Sequence, residues 1–276
     1  MRFPLTLLLG TLLLLSSCDS RKEAALPLST EGSVLVSDRL SNQRVNSFAE
    51  DGDGHIWIAT GRGLDKYSIH EYHQYFCADD TLGLPDNQVN TVFYSKKGRL
   101  WAGTADGVAY KTEQGGFSRV PVLGDGRNVN RFWDTHDGRL LMSNSTTLFL
   151  YEEAENHFRP VIRDLNAFSF PYSVLDGNLL WIVSGGGQVL NCYSTEDFSL
   201  IASYPTPHIV YHIIHAGNGE LWMSGMGQLS IFDAPTHSWK ELPAAIRNES
   251  RLMHGDIDIL YPVVTNARSA RHTLRI

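Results

Sequence analysis

Short stretches of alternating apolar and polar residues recur along the chain, each ending at a glycine turn; Val45-Asn46-Ser47-Phe48 and Val89-Asn90-Thr91-Val92 are the clearest. A period of two sends alternate side chains to opposite faces, so each stretch is expected to be a strand with one face inward. The turns Asp53-Gly54 and Lys97-Gly98 then reverse the chain into a second strand that carries a tryptophan. A glycine bend, Gly61-Arg62-Gly63 or Asp106-Gly107, leads to a third strand at 64–67 or 108–111. Aromatic-bearing fourth strands follow at 72–76, 117–120, 158–162, 198–204 and 239–242.

This unit repeats. Gly54-His55-Ile56-Trp57, Gly98-Arg99-Leu100-Trp101, Gly138-Arg139-Leu140-Leu141 and Gly219-Glu220-Leu221-Trp222 share one pattern, and Gly177-Asn178-Leu179-Leu180-Trp181 carries it with one extra residue. The anchors Trp57, Trp101, Leu141, Trp181 and Trp222 are spaced by 44, 40, 40 and 41 residues. Four-stranded antiparallel meanders at that period cannot bury both faces alone and must stack around an axis. The expected fold is therefore all-β, a β-propeller of five complete blades and an incomplete sixth. The blades are expected at about 43–87, 88–127, 128–167, 168–208 and 209–250, with a partial blade at 251–261 inside a propeller region of 34–261. At their equivalent positions the tryptophans are expected to fill the space between blades. Asn46, Asn90 and Asn130 also share one position, where a repeated side-chain-to-backbone hydrogen bond is the simplest role.

Composition adds the compartment. Met1 and Arg2 precede an apolar run at 3–15, too short to span a bilayer, and Leu15-Ser16-Ser17-Cys18 follows. That string is similar to the bacterial lipobox, which makes residues 1–18 a lipoprotein signal peptide and Cys18 the lipid-attachment site. Residues 19–33 are polar, with mixed charge, and are expected to be a flexible tether. The mature protein is thus expected in the periplasm or at the cell surface, membrane-anchored through Cys18. Cys77 and Cys192 lie in different repeats and are expected to be unpaired, buried thiols. A net charge of -7 with scattered Lys and Arg gives no basic footprint, so nucleic acid is not an expected partner.

The strings Leu40-Ser41-Asn42-Gln43-Arg44-Val45-Asn46 and Leu84-Pro85-Asp86-Asn87-Gln88-Val89-Asn90 stand before the first two glycine turns. With Glu50-Asp51-Gly52-Asp53-Gly54-His55-Ile56-Trp57-Ile58-Ala59-Thr60 and Gly63-Leu64-Asp65-Lys66-Tyr67, they resemble the two-component regulator propeller repeat. That repeat forms the periplasmic sensor region of hybrid two-component systems. The resemblance implies an oligosaccharide or similar nutrient signal as ligand, and allows a homodimer as in sensor kinases. Leu252-Met253-His254-Gly255-Asp256-Ile257 matches the start of a sixth blade, and the pattern then lapses. Residues 262–276 are accordingly expected to be a non-propeller tail, and the chain to be truncated relative to the family, without its kinase.

No metal, nucleotide or hydrolase signature occurs, so no cofactor and no catalytic residue is expected. His208, His212 and His215 do not share one strand face. Asp51 and Asp53 suit calcium, but a tight reversal needs the same residues. Innermost-strand positions that differ between repeats supply the expected ligand site: Arg44, Gln88 and Asn128 at one position, Arg131 and His212 beside it, Arg62 on a loop, and Trp133 or Tyr211 to stack on a sugar face. The reading is a non-enzymatic sensor or binding propeller. Its alternatives are a lyase resembling streptogramin lyase, or a nonfunctional fragment of a disrupted sensor gene.

Overall fold

The computed structural model describes residues 34–77, 83–166, 172–225, 227–247, 261–263 and 273–275. The signal peptide, Cys18 and the tether at 19–33 lie outside these residues, as does most of the expected partial blade at 251–261. A short strand β1 (Val34–Ser37) comes first. Blade 1 is β2 (Val45–Glu50), β3 (Ile56–Thr60), β4 (Gly63–Ser68) and β5 (Glu71–Tyr75). Blade 2 is β6 (Val89–Tyr94), β7 (Leu100–Thr104), β8 (Gly107–Lys111) and β9 (Phe117–Val120). Blade 3 is β10 (Arg131–Asp134), β11 (Leu140–Ser143), β12 (Leu148–Glu152) and β13 (His157–Ile162). Blade 4 is β14 (Tyr172–Asp176), β15 (Leu179–Ser184), β16 (Val189–Ser194) and β17 (Leu200–Pro205). Blade 5 is β18 (His212–His215), β19 (Glu220–Gly225), β20 (Gln228–Asp233) and β21 (Ser238–Lys240).

Each blade is an antiparallel meander in chain order, and β1 adds a fifth strand to the outer edge of blade 1 by pairing with β5. Pairing at this edge protects a strand that would otherwise offer free backbone groups. A single helical turn, α1 (Ala244–Arg247), follows blade 5. A strand pair, β22 (Tyr261–Val263) with β23 (Thr273–Arg275), lies towards the end of the chain, and β22 lies beside β18. Among the described residues no helix is long and apolar enough to cross a membrane.

The glycine motif works as the sequence suggests in four blades: Gly54, Gly98, Gly138 and Gly219 have φ of 82, 76, 78 and 80°, a region that favours glycine. Blade 4 differs. Asp176 pairs with Leu179 across a two-residue Gly177-Asn178 turn, so Val174 faces Trp181. The apparent extra residue is a change of hairpin type, and it leaves the tryptophan in its usual place.

Four apolar clusters join the blades in series. Trp57 packs with Val92 and Phe117 between blades 1 and 2, and Trp101 with Phe132 and Phe158 between blades 2 and 3. Leu141 packs with Leu180 and Ile182 between blades 3 and 4, and Trp181 with Ile213 and Phe232 between blades 4 and 5. Trp57, Trp101 and Trp181 are junction fillers, as expected from their spacing, whereas Trp222 is half-buried beside Leu229 of its own blade. Cys77 and Cys192 are both free; Cys192 is buried, and burial together with the charge of Asp176 raises its thiol pKa to about 11. Cys77, expected to be buried, is half-buried.

The hairpin between β4 and β5 turns through Ile69 and His70 at φ of 33 and 76°, with Ser68 paired to Glu71. Two-residue turns of this hand prefer Asn-Gly, and a β-branched residue at positive φ is strained. Because Ile69 is also 86% exposed, its side chain has little packing to lose. Replacing Ile69-His70 by Asn-Gly should therefore raise stability by roughly 1 kcal/mol. Equilibrium denaturation checks this; an unchanged or lower midpoint would show the turn to be unstrained.

Candidate functional site

The loops entering the innermost strands are set by a repeated local hydrogen bond. Asn42 Oδ1 accepts from the Arg44 amide at 2.8 Å, Asp86 Oδ1 from the Gln88 amide at 2.6 Å, and Asp125 Oδ1 from the Arg127 amide at 3.2 Å. Such Asx turns fix the chain direction just before the strand begins. The strand then starts with a bulge. Val45 pairs with Thr60 and Ser47 with Ala59, which leaves Asn46 as the extra residue, and Asn90 is extra in the same way between Val89 and Thr91. In blade 3 the Asn130 amide donates to the Ser143 carbonyl while Arg131 pairs with Ser143; in blade 5 Tyr211 and His212 stand in the same relation to Ser224. A bulge redirects the side chain at its extra residue.

Blades 1 to 3 thereby line a polar cavity of about 600 Å³ that is open to solvent. Arg44, Gln88 and Asn128, predicted as one ligand-facing position, all line it. So do the bulge residues Asn46 and Asn90 and the equivalent Asn130, together with Ser145. Asn46 makes the expected bond, its Nδ2 donating to the Val89 carbonyl of the next blade at 2.7 Å. Asn90 instead accepts from Gln88 Nε2 at 3.1 Å, and Asn130 Nδ2 donates to Ser145 Oγ at 3.3 Å. The sequence signal for these three is their identity at one position, which reads equally well as structural; their place before or at the start of the innermost strands makes them wall residues as well.

The other predicted residues fall elsewhere. Arg62 sits on the β3–β4 turn, whose Gly61 amide donates to the Arg44 carbonyl at 2.9 Å, but Arg62 does not line the cavity. Arg131 is reached by solvent yet enclosed by protein, and that enclosure draws its pKa below the ordinary arginine value; its guanidinium lies 5.6 Å from the Trp133 ring centroid. Trp133 is not a stacking platform for a ligand. It is buried in the junction of blades 3 and 4 beside Leu141, where its indole supplies bulk that a tryptophan provides in the other repeats. Tyr211 and His212 are half-buried in blade 5 and are not part of this wall. His208 meets the Ile209 carbonyl and Ser230 Oγ, each at 3.1 Å, while His215 Nε2 lies 3.5 Å from Asp176 Oδ2.

Asp51, Asp53 and His55 bring possible ligand atoms within 4.8 Å of one another. The Asp51 carboxylate is already occupied: it accepts from the amides of Asp53 and His55 at 3.0 and 2.9 Å and from Trp57 Nε1 at 2.8 Å. Burial would raise its pKa, but the Trp57 bond and these amides together hold it below the usual carboxylate range. The arrangement braces the turn and fixes the junction tryptophan.

In sequence, the family described as two component regulator propeller matches residues 39–62 and 83–106. The chain carries the two-component regulator propeller repeat. Among curated proteins, none matches it in sequence. Of solved structures, the extracellular domain of a hybrid two component system from B. thetaiotaomicron aligns with TM-score 0.62 at 20% identity, covering 75% of this chain and 31% of that one. Virginiamycin B lyase from Staphylococcus aureus aligns with TM-score 0.58 at 13% identity, covering 76% and 73%. A streptogramin B lyase structure aligns with TM-score 0.56 at 16% identity, covering 76% and 72%. At these identities the shared property is the propeller fold, and the chain spans about a third of the hybrid system's domain.

Replacing Asp51 with Asn should cost about 1–3 kcal/mol, because an amide cannot accept on both sides. An Asp pKa lowered in the folded state contributes stability above its unfolded value, and loses it as pH falls through the folded one. The difference between wild type and variant should accordingly shrink below about pH 4. Unfolding curves across pH, with and without calcium, measure both; a large stabilisation by calcium would make Asp51 a metal ligand.

Proposed function

We propose that this repeat protein is a non-enzymatic, extracytoplasmic sensor or binding propeller whose inner-strand cavity takes an oligosaccharide or similar polyhydroxylated ligand. The cavity wall carries this reading. Asn46, Gln88, Asn90, Asn128 and Asn130 are carboxamides, each with donors and an acceptor, and sugar hydroxyls both donate and accept. Arg44 adds the one charged group of the wall, a planar set of donors with no acceptor, which suits neutral or acidic sugars and disfavours cations.

The lyase alternative shares the fold but requires a proton acceptor and a proton donor facing one cavity. The wall residues offer amide, hydroxyl and guanidinium groups, none of which readily takes a proton at neutral pH, and this favours binding over elimination. An extracytoplasmic location rests on the apolar run at 3–15 followed by Cys18, and on the extracellular setting of the hybrid-system domain with the same fold. Lipidated Cys18 would then hold the propeller at a membrane through residues 19–33.

Calorimetry with a panel of neutral and acidic oligosaccharides tests the binding reading. At least one should bind, and Arg44→Ala with Gln88→Ala should weaken it about ten-fold or more, since hydrogen bonds to a charged group are worth roughly 1.5–3 kcal/mol. An unchanged affinity would remove the cavity from the site, and time-dependent breakdown of the ligand would make the protein an enzyme. For the anchor, mass spectrometry of the mature amino terminus should find an acylated Cys18; an unmodified cysteine or an intact Met1 contradicts it.

A further inference from the structure

The innermost strands run from the polar cavity towards the glycine turns, and at that far end two clefts repeat one design. The cleft between blades 1 and 2 has a volume of about 220 Å³ and the cleft between blades 2 and 3 about 240 Å³, both open to solvent. Their linings correspond position by position. Trp57, Gly98 and Leu100 stand in the first where Trp101, Gly138 and Leu140 stand in the second, so the two share an apolar floor. The charges differ. Asp51 and Asp53 form the turn of the first cleft, whereas Ser95 and Lys97 take those places in the second, where Arg99 and Asp134 join the lining. Since the frame is common to both, the junction itself does not require the cations.

Arg99 is half-buried, and its guanidinium lies 4.4 Å from the Tyr110 ring centroid. Its Nη1 donates to the Tyr151 hydroxyl at 3.2 Å, and that hydroxyl donates onward to Asn156 Oδ1 at 2.8 Å. Among the described residues no carboxylate forms an ion pair with Arg99, so most of its fork of donors is unspent. The neighbouring carboxylates are committed elsewhere: Glu153 to Lys97 at 2.5 Å, and Glu152 to Arg159. Lys97 and Glu153 are both more than half exposed, and a pair of that kind is held only weakly. Asp134 accepts from the Lys96 amide at 2.5 Å through Oδ2, while its buried Oδ1 has no partner. A buried carboxylate oxygen without a donor is uncommon. One cleft thus combines a cation with unused donors, an acceptor with no donor, and an apolar floor.

We propose that the cleft between blades 2 and 3 is a second binding site, for a small carboxylate that also carries hydrogen-bond donors. The carboxylate meets the fork of Arg99, where two parallel N–H···O bonds give the strongest pairing. Lys97 turns from Glu153 to the same anion, and a hydroxyl or ammonium group of the ligand donates to Asp134. A volume of about 240 Å³ suits a sugar acid or an amino acid, two sources of this chemistry. The cleft between blades 1 and 2 repels such an anion through Asp51 and Asp53. The site lies at the opposite end of the innermost strands from the polar cavity and does not depend on what that cavity holds.

Calorimetry on the whole chain with D-glucuronate, L-valine and D-glucose tests the site. Glucuronate or valine should bind, the tighter of the two showing whether hydroxyl or ammonium donors are preferred, and glucose, which lacks the carboxylate, should not compete. Arg99→Lys keeps the charge without the fork and should weaken binding about ten-fold. Lys97→Glu reverses a charge at an exposed position and should weaken it at least as much, with the fold intact by circular dichroism. Arg44→Ala with Gln88→Ala should leave this affinity unchanged, because those residues line the other cavity. Failure of both carboxylates to bind overturns the proposal, as does binding that Arg99→Lys and Lys97→Glu both leave unaltered. Loss of carboxylate binding in the Arg44 and Gln88 variant would move the ligand to the inner-strand cavity and contradict it equally.

Discussion

Packing of a tryptophan between adjacent sheets is the interaction on which the rest of this structure depends. A four-stranded sheet with apolar residues on both faces has no stable form in water by itself, and only a neighbour on each side removes that surface from solvent. Trp101 illustrates how the junction is made. It lies on blade 2, with its ring edge-on to Phe158 and Tyr151 and tilted against Phe132, all on blade 3. Edge-to-face contacts of this kind add specific orientation to the burial itself. Where the second strand has Leu141, the cluster keeps its bulk through Trp133 on the neighbouring strand.

The junctions also determine what the inner strands can display. Gly103 shows how close the approach is: a Cβ there would lie 2.4 Å from Cγ1 of Val129 in the next blade. Held at this distance, successive strands bring Arg44, Gln88 and Asn128 to one cavity although 44 and 40 residues separate them along the chain. The bulges then turn Asn46 and Asn90 onto the same wall, where the equivalent Asn130 joins them. A repeated structural device thus yields a cluster of carboxamides, and variation at the neighbouring position supplies its one charge.

The blade plan is legible in the sequence because it is carried by local chemistry repeated at a fixed period: glycine at positive φ, alternation along the strand, and an anchor at each junction. Arg44, Gln88 and Asn128 are legible as partners for the same reason, since equivalent positions in stacked repeats must be neighbours. What depends on pairing between strands is not legible. The register shifts at Asn46 and Asn90 appear only when the opposite strand is known, and the two-residue turn at Gly177 looks like an insertion until Val174 is seen to face Trp181. Trp133, expected to stack on a sugar face, lies in a junction, because a strand has two faces and the period alone does not say which is buried. The pairing of β1 with β5 and of β22 with β23 involves segments outside the repeat, where no second copy exists for comparison.

Equilibrium unfolding of a Trp101→Ala variant bears most directly on the claim that the junctions hold both the fold and the cavity. Removing a fully packed tryptophan should cost about 3–5 kcal/mol. Since blades 2 and 3 supply Gln88, Asn90, Asn128 and Asn130 from opposite sides of that junction, binding at the cavity should weaken along with it. A variant that unfolds within about 1 kcal/mol of the wild type would place the stabilising interaction elsewhere and contradict the account.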